Sequence, residues 1–299
     1  MRPGRRPLSE TFFRDTGDGL MPELPEVETI ARGLARSVVG RTVVRVDVPT
    51  PSSLRESPNT FVPKVLGRRI EAVRRRAKLL LIDLEGEGLP PLVLGVHLKM
   101  TGRLVTSCEL PLAPRERGKF DRVIFGLDDG ATLTFSDMRR FGYCEAFGPG
   151  ELERSPFYSS LGPEPLELAE DAFVALFQGR RARMKALLLD QRVIAGIGNI
   201  YADESLFRAA IRPDTPADKV SEKKLRELHA AILAILRQAI AENGSSIRDY
   251  RDAGGNAGAF QNRFQVYGKK GRSCPRCGEP LVTAVVAGRT STFCPKCQR

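Results

Sequence analysis

Cys274-Pro275-Arg276-Cys277 and Cys294-Pro295-Lys296-Cys297 stand near the C-terminal end of the chain, with sixteen residues between the two motifs. Each Cys-x-x-Cys lets two thiolates reach one ion from a tight turn, and two such knuckles complete a tetrahedral four-sulfur site. Pro275 and Pro295 stiffen the turns, and Gly278 permits the chain to reverse after the first. The competing reading is a pair of redox dithiols. A redox Cys-x-x-Cys opens a helix after a strand and does not come twice, so zinc is the stronger reading. The pattern predicts a zinc ribbon holding one structural Zn2+ on Cys274, Cys277, Cys294 and Cys297. Four protein ligands leave no open position for catalysis. Cys108 and Cys144 stand alone and read as ordinary buried or half-buried thiols.

Outward from this ribbon the charge is uneven. The 299 residues carry a formal +11 and a pI near 9.7. Between Gly244 and Arg299 there are ten Lys/Arg against three Asp/Glu, so this segment supplies +7 of the excess. A concentrated excess favours a polyanionic partner, with nucleic acid ahead of anionic lipid. Lys269, Lys270, Arg272, Arg276 and Arg289 are the expected phosphate-facing cations. No apolar run approaches the ~18 residues of a membrane span, and the lone and paired cysteines without a secretory leader fit a reducing cytosol. Residues 1–20 hold four arginines and three acids without an apolar stretch. They read as a disordered or non-native extension.

The remaining chain divides by texture. Val27, Ile30, Leu34 and Val38 recur at helical intervals after Pro25, stopping at Gly40. Residues 41 to about 147 carry short β-rich runs, including 42–48, 79–84, 92–98, 122–127 and 132–135, with a tight turn at Asp129-Gly130. Many strands with little intervening helix predict a sandwich or barrel. Gly148-Pro149-Gly150 and Gly162-Pro163-Glu164-Pro165 bracket a connection, beyond which 170–178, 183–191, 199–210 and 221–243 read as helices. In the last, Leu225, Leu228, Ile232, Ile235, Leu236 and Ile240 share one stripe, with Ser221 as N-cap and Gly244 as stop. The expected division is 21–150, 151–262 and 263–299.

Three further motifs carry chemistry. Gly196-Ile197-Gly198-Asn199 opens a helix, leaving backbone N–H groups for an anion, with Arg183 and Lys185 upstream. Asp137-Met138-Arg139-Arg140-Phe141-Gly142 follows a strand and offers cations and a ring for insertion into a duplex; on these residues alone, a surface hairpin is the plainer reading. Met21-Pro22-Glu23-Leu24-Pro25-Glu26-Val27-Glu28 places proline behind a methionine. Trimming that methionine yields a secondary amine, a nucleophile that an internal proline lacks.

Pro22–Glu28, Arg75-Arg76-Ala77-Lys78, His97-Leu98-x-Met100-Thr101-Gly102, Arg139-Arg140-Phe141-Gly142, Leu161-Gly162-Pro163-Glu164-Pro165, Gly198-Asn199-Ile200-Tyr201 and the cysteine pattern fall in the order seen in bacterial formamidopyrimidine-DNA glycosylases, and the chain resembles that family from residue 21 to 299. The resemblance implies an α+β multidomain protein: an N-terminal β-sandwich with flanking helices, a helix–two-turn–helix domain and a zinc ribbon, with DNA in the cleft. It implies excision of oxidised purines such as 8-oxoguanine and formamidopyrimidines, followed by β,δ-elimination at the abasic site. Damaged double-stranded DNA is the implied partner of a monomer in the bacterial cytoplasm, associated with the nucleoid.

Carried over by residue, Pro22 matches the imine-forming nucleophile, Glu23 the acid that assists sugar-ring opening, and Glu26 a supporting carboxylate. Lys78 matches a lysine at the lesion's phosphate. His97, Lys185, Asn199 and Arg289 are the expected DNA contacts, and Met100, Arg139 and Phe141 the residues that fill the vacated stack. The segment from about Ser246 to Gln261 resembles a loop that closes over the extruded base. In the His97–Gly102 motif Lys99 stands where the family commonly has glycine, and Met138 stands where proline commonly precedes the arginine pair. Pro22 chemistry requires a start at Met21, which is the expected initiator, since removal of methionine before a small residue is the rule. Retention of residues 1–20 would leave a non-catalytic lesion-binding protein, and an endonuclease VIII-like enzyme for oxidised pyrimidines is the other alternative.

Overall fold

The computed structural model describes residues 21–107, 118–246 and 250–299. Cys108 and the segment 247–249 of the expected closing loop, like the extension 1–20, lie outside the described residues.

Helix α1 (Leu24–Val38) begins where Glu23 and Glu26 cap one another, with proline in the first turn, where its missing N–H costs nothing. Its apolar face (Val27, Ile30, Leu34, Val38) is buried. The strands β1 (Val43–Asp47), β2 (Arg69–Arg76), β3 (Leu79–Gly86), β4 (Leu89–His97), β5 (Gly102–Ser107), β6 (Asp121–Leu127), β7 (Thr132–Asp137) and β8 (Tyr143–Phe147) form two antiparallel sheets. Their orders are β1-β6-β7-β5 and β2-β3-β4-β8. Inner faces meet in a core of Ile82, Leu94, Val96, Leu104, Val123, Phe125 and Phe135, and α1 packs on the same core. This is the expected sandwich with a flanking helix; α2 (Pro58–Val65) adds Phe61 and Val65. Gly130 has φ +85° in the β6–β7 turn, as Asp129-Gly130 predicted.

Strand β2 is absent from the expected runs because four of its eight residues are arginines. Helix α2 is likewise hidden, by Pro58 and Pro63. Both elements owe their form to tertiary pairing rather than to apolar patterning.

Two short turns, α3 (Glu151–Arg154) and α4 (Pro156–Ser159), lead into the helical part. There α5 (Glu170–Phe177), α6 (Met184–Leu189), α7 (Asn199–Arg208) and α8 (Glu222–Ala241) surround a second core that includes Phe173, Phe177, Leu188, Ile194, Tyr201 and Leu228. Ser221 caps α8 by accepting from Lys224 N at 3.3 Å, as expected. Tyr250 and Ala253 belong to the sandwich core, so the end of the expected 151–262 domain reaches back onto the first. The hairpin β9 (Val282–Val286) and β10 (Arg289–Phe293) forms the ribbon, with a small core of Phe207, Val266, Leu281 and the cysteines. No helix among the described residues is long and apolar enough to cross a membrane.

Candidate active site and nucleic-acid interface

Residues 22–26 lie where the sandwich meets the helical part. Pro22 and Glu23 are buried. The Glu23 carboxylate accepts from Gly198 N (2.7 Å), Ile200 N (2.9 Å) and Tyr201 N (3.5 Å), so it caps α7 across 175 or more residues of sequence. The approach is close: a Cβ on Gly198 would lie 2.3 Å from the Glu23 carboxyl carbon, which leaves room for glycine alone. A helix N-terminus favours an anion by about 0.3–2 kcal/mol. Burial outweighs it here. Desolvation, with Glu26 adding repulsion, pushes Glu23 up to about 7, while Lys78 and the backbone donors hold it back.

Glu26 is buried too, and burial pushes its carboxyl up. It accepts from Tyr201 Oη (2.6 Å), Ser245 N (2.7 Å) and Glu23 N (3.0 Å). Lys78 lies in the β2–β3 turn with Ala77, which has φ +54°. It is buried; desolvation lowers its ammonium pKa against the pull of Glu23 and Glu26. Its position is fixed from the helical part: Glu164 accepts from Ala77 N (2.6 Å), Arg75 (2.7 Å) and Arg76 (2.9 Å). Arg75 also donates to Glu28 at 2.8 Å. The Leu-Gly-Pro-Glu-Pro motif thus contributes an interdomain clamp, a role its composition does not reveal.

His97 ends β4, ringed by Tyr143 and Phe157 at 5.7 and 5.6 Å. Its Nδ1 accepts from Lys99 N at 3.1 Å, so the neutral ring carries its proton on Nε2. Burial and the nearby charges of Lys99, Lys78 and Arg55 hold it well below its ordinary pKa, so it is a neutral donor. Lys99 occupies φ +51°, the left-handed region that glycine enters without cost.

Met100 and the 138–142 loop lie together. Arg139 Nη1 reaches Met100 Sδ at 3.2 Å, and the guanidinium covers the Phe141 ring at 4.8 Å. Phe141 and Met138 are about half exposed, an apolar pair projecting from a polar surface.

Asn199 opens α7; its Nδ2 donates to Thr290 O at 3.2 Å, and its buried Oδ1 has no partner. Arg289 begins β10, close enough to Lys78 and Lys185 for their charges to act on one another. Lys185 departs from expectation. It is fully buried, paired with Asp203 at 2.6 Å and donating to Thr290 O at 3.1 Å. Its ammonium ends inside the protein, between Asp203 on α7 and Thr290 O on β10. Arg276, though exposed, lies over the helical part, donating to Arg208 O at 3.0 Å and covering Phe207, and Lys269 donates to Phe264 O. No local pattern marks Asp203 or Glu204 as docking residues. Asp203 accepts from Thr292 N (2.9 Å), and Glu204 accepts from Gln265, Val266 and Tyr267 N at 2.8–3.0 Å.

The four ribbon sulfurs lie within 4.8 Å of one another, with Cys274–Cys297 at 3.9 Å and Cys277–Cys294 at 3.5 Å. Zn–S bonds of ~2.3 Å imply tetrahedral edges of ~3.8 Å. Arg276 N and Cys297 N point at Cys274 and Cys294 Sγ at 3.4 and 3.3 Å, stabilising thiolate charge. The donor set fits one structural zinc ion.

Buried acids at the junction of sandwich and helical part, two loops meeting at Met100, Arg139 and Phe141, and a four-cysteine ribbon with basic neighbours fit an enzyme that handles a polyanion. Known proteins narrow it. Residues 21–144 match the formamidopyrimidine-DNA glycosylase N-terminal domain, 161–251 its H2TH domain, and 271–299 a zinc finger found in FPG and IleRS. The formamidopyrimidine-DNA glycosylase of Chloroflexus aurantiacus is 44% identical over 93% of this chain and 98% of its own length. That of Geobacillus kaustophilus is 41% identical over 93% and 100%. A Lactococcus lactis FPG variant in complex with Fapy-dG-containing DNA superposes with a TM-score of 0.84 at 35% identity, covering 93% of this chain and all of that one. The same bacterium's Fpg with abasic-site DNA gives 0.84 at 34%, covering 93% and 99%. The chain belongs to the formamidopyrimidine-DNA glycosylase family, and it is a base-excision repair glycosylase acting on damaged DNA.

Proposed function

We propose that this glycosylase removes oxidised purines through an imine on Pro22 and then cleaves the abasic site by β,δ-elimination. The observation that carries the reading is Glu23, a carboxyl raised to about 7 beside Pro22 and wired to the α7 entrance. A proton donor of that strength suits protonation of the sugar ring oxygen near neutral pH. The first family match begins at residue 21, which supports Met21 as the start and Pro22 as the amine.

In this mechanism the extruded nucleotide presents C1′ to the Pro22 nitrogen, whose lone pair forms the C–N bond as the base departs. Glu23 protonates the ring oxygen, the sugar opens and the iminium forms. The iminium acidifies the 2′ hydrogen; its loss expels the 3′ phosphate, and a second elimination expels the 5′ phosphate. An α-amine with a pKa of ~7.7–8 keeps a useful neutral fraction near pH 7, whereas lysine at ~10.4 does not.

Lys78, His97 Nε2, Asn199 and Arg289 would hold the phosphates around the lesion. Met100, Arg139 and Phe141 would occupy the vacated stack, recovering part of the few kcal/mol that flipping costs. Lys185 would act through Thr290, setting the place of Arg289. The enzyme would work as a monomer in the bacterial cytoplasm, on the nucleoid.

Sodium borohydride should trap a covalent adduct with 8-oxoguanine DNA from protein whose intact mass shows Pro22 at its terminus, and Pro22→Gly should weaken it. Equal trapping by protein shown to retain residues 1–20 overturns the Pro22 assignment.

A further inference from the structure

Asp137 is wholly buried. Its oxygens are spent on two loops. Oδ1 accepts the Thr101 hydroxyl and Arg139 N (3.1 Å), and Oδ2 accepts Gly142 N at 2.7 Å. The Thr101 hydroxyl in turn accepts from Arg139 N at 3.0 Å. One carboxylate and one hydroxyl thereby join the loop carrying Met100 to the loop carrying Arg139 and Phe141.

Both loops are also pinned at their roots. A Cβ on Gly102 would lie 2.3 Å from Leu98 O, and one on Gly142 would lie 2.8 Å from both His97 O and the Phe135 ring. Residues 102 and 137 are themselves register partners between β5 and β7. Arg122 donates to Asp137 O at 2.7 Å, tying the backbone beneath to β6. Between these fixed roots lie three side chains that share contacts: Met100, Arg139 and Phe141. A buried carboxylate must be fully hydrogen-bonded or it is costly, so the arrangement admits one relative placement of the two loops.

We propose that Asp137, with Thr101, is a positioning residue that makes the two loops a single rigid wedge, so that the base stack is filled from both loops at once. The proposal rests on the void-filling reading given above. A wedge built from independent loops must order two segments while the base is leaving; a pre-joined wedge does not, and preorganisation of this kind lowers the cost of the bound state. Asp137 is wholly buried and spends its oxygens on the two loops, so its effect falls on extrusion and not on the chemistry at C1′.

The test compares single-turnover excision of 8-oxoguanine paired with cytosine against the same lesion opposite a tetrahydrofuran site, where no pairing has to be broken. Cleavage of a preformed abasic site serves as the third substrate. Asp137→Asn places an amide where Gly142 N–H or the Thr101–Arg139 pair needs an acceptor. Thr101→Val removes the bridging hydroxyl at nearly constant volume, and Thr101→Ser restores it.

The expected result is a loss of roughly tenfold on the paired lesion for Asp137→Asn and Thr101→Val. The unpaired lesion and the abasic site should be processed at near wild-type rates, and Thr101→Ser should recover the paired activity. An equal loss on all three substrates, or no loss on the paired one, overturns the proposal. If Asp137→Asn does not fold, the Thr101 pair decides alone. Wild-type protein that excises neither lesion would refute the underlying reading instead.

Discussion

Two of the buried acids that join parts of this molecule are built differently. Glu23 joins the sandwich to α7; Asp203 joins α7 to the ribbon. Each accepts a backbone N–H from another part of the chain, and burial pushes both carboxyls up, to about 7 and about 6. The difference lies in the cation. Asp203 holds Lys185 in a 2.6 Å ion pair, whereas Lys78 acts on Glu23 through space, without an ion pair among the described residues. On the proposed mechanism Glu23 must exchange a proton, and its cation stands at a remove; Asp203 docks β10, and its cation is in contact.

The largest expected effect separates the seats by metal. Structural zinc couples on the order of 10 kcal/mol to folding in ribbons of this type. Chelation should unfold the segment near residues 270–299 and reduce DNA affinity on the order of 100-fold. The α1–α7 junction should persist, with near-native protection of the Ile200 amide in hydrogen exchange. Loss of that protection together with the zinc would show that the two seats are one cooperative unit.

Asp203→Ala should then cost about 3–5 kcal/mol in urea unfolding, because it leaves a buried ammonium unpaired. Glu23→Gln should cost far less, since it replaces a carboxyl whose charge burial already opposes. Equal losses would erase the distinction drawn between the seats.

The pH response sharpens it. A carboxyl raised to about 7 in the folded protein, against ~4.3 unfolded, contributes stability fully present below the unfolded value and lost as pH rises through the folded one. Glu23→Gln should therefore flatten the decline of melting temperature between about pH 4.5 and 7. In wild-type kcat/KM the neutral amine grows in on the acid side while protonated Glu23 disappears above about 7, giving a bell. Glu23→Gln should lower the maximum and remove the alkaline fall that Glu23 causes; an unchanged alkaline limb assigns that limb to another group.

The smallest effect concerns Lys99. Lys99→Gly should relieve a left-handed backbone and gain about 1 kcal/mol in stability. It should also ease the repulsion that depresses Lys78, raising the Lys78 pKa. A loss of stability would mean that the Lys99 side chain contributes more than its backbone strain costs.

Much of this was legible in the sequence. The stripe of α8, its Ser221 cap, the glycines before α7 and the cysteine spacing are local signals, and each appears where its pattern placed it. Strand β2 was not legible because arginines occupy its face for partners elsewhere: Asp83, Glu28 and Glu164. Nor was the fate of Lys185. A lysine in a short helix reads as solvent-facing until Asp203, eighteen residues on, is brought against it. The same limit hid the seat of Glu23, whose donors lie at 198–201.

That last separation has a consequence during synthesis. A ribosome exposes residues 22 and 23 well before it releases Gly198, Ile200 and Tyr201, whose amides receive the Glu23 side chain. On a growing chain the carboxyl therefore stays in water, at the acidity of any free glutamate, and has no proton to give at neutral pH. On the proposed mechanism, an amine prone to condense with stray aldehydes and sugars would thus lack its acid partner until most of the protein has been made. Translation order itself would keep the reagent unarmed until the DNA-binding body exists to aim it.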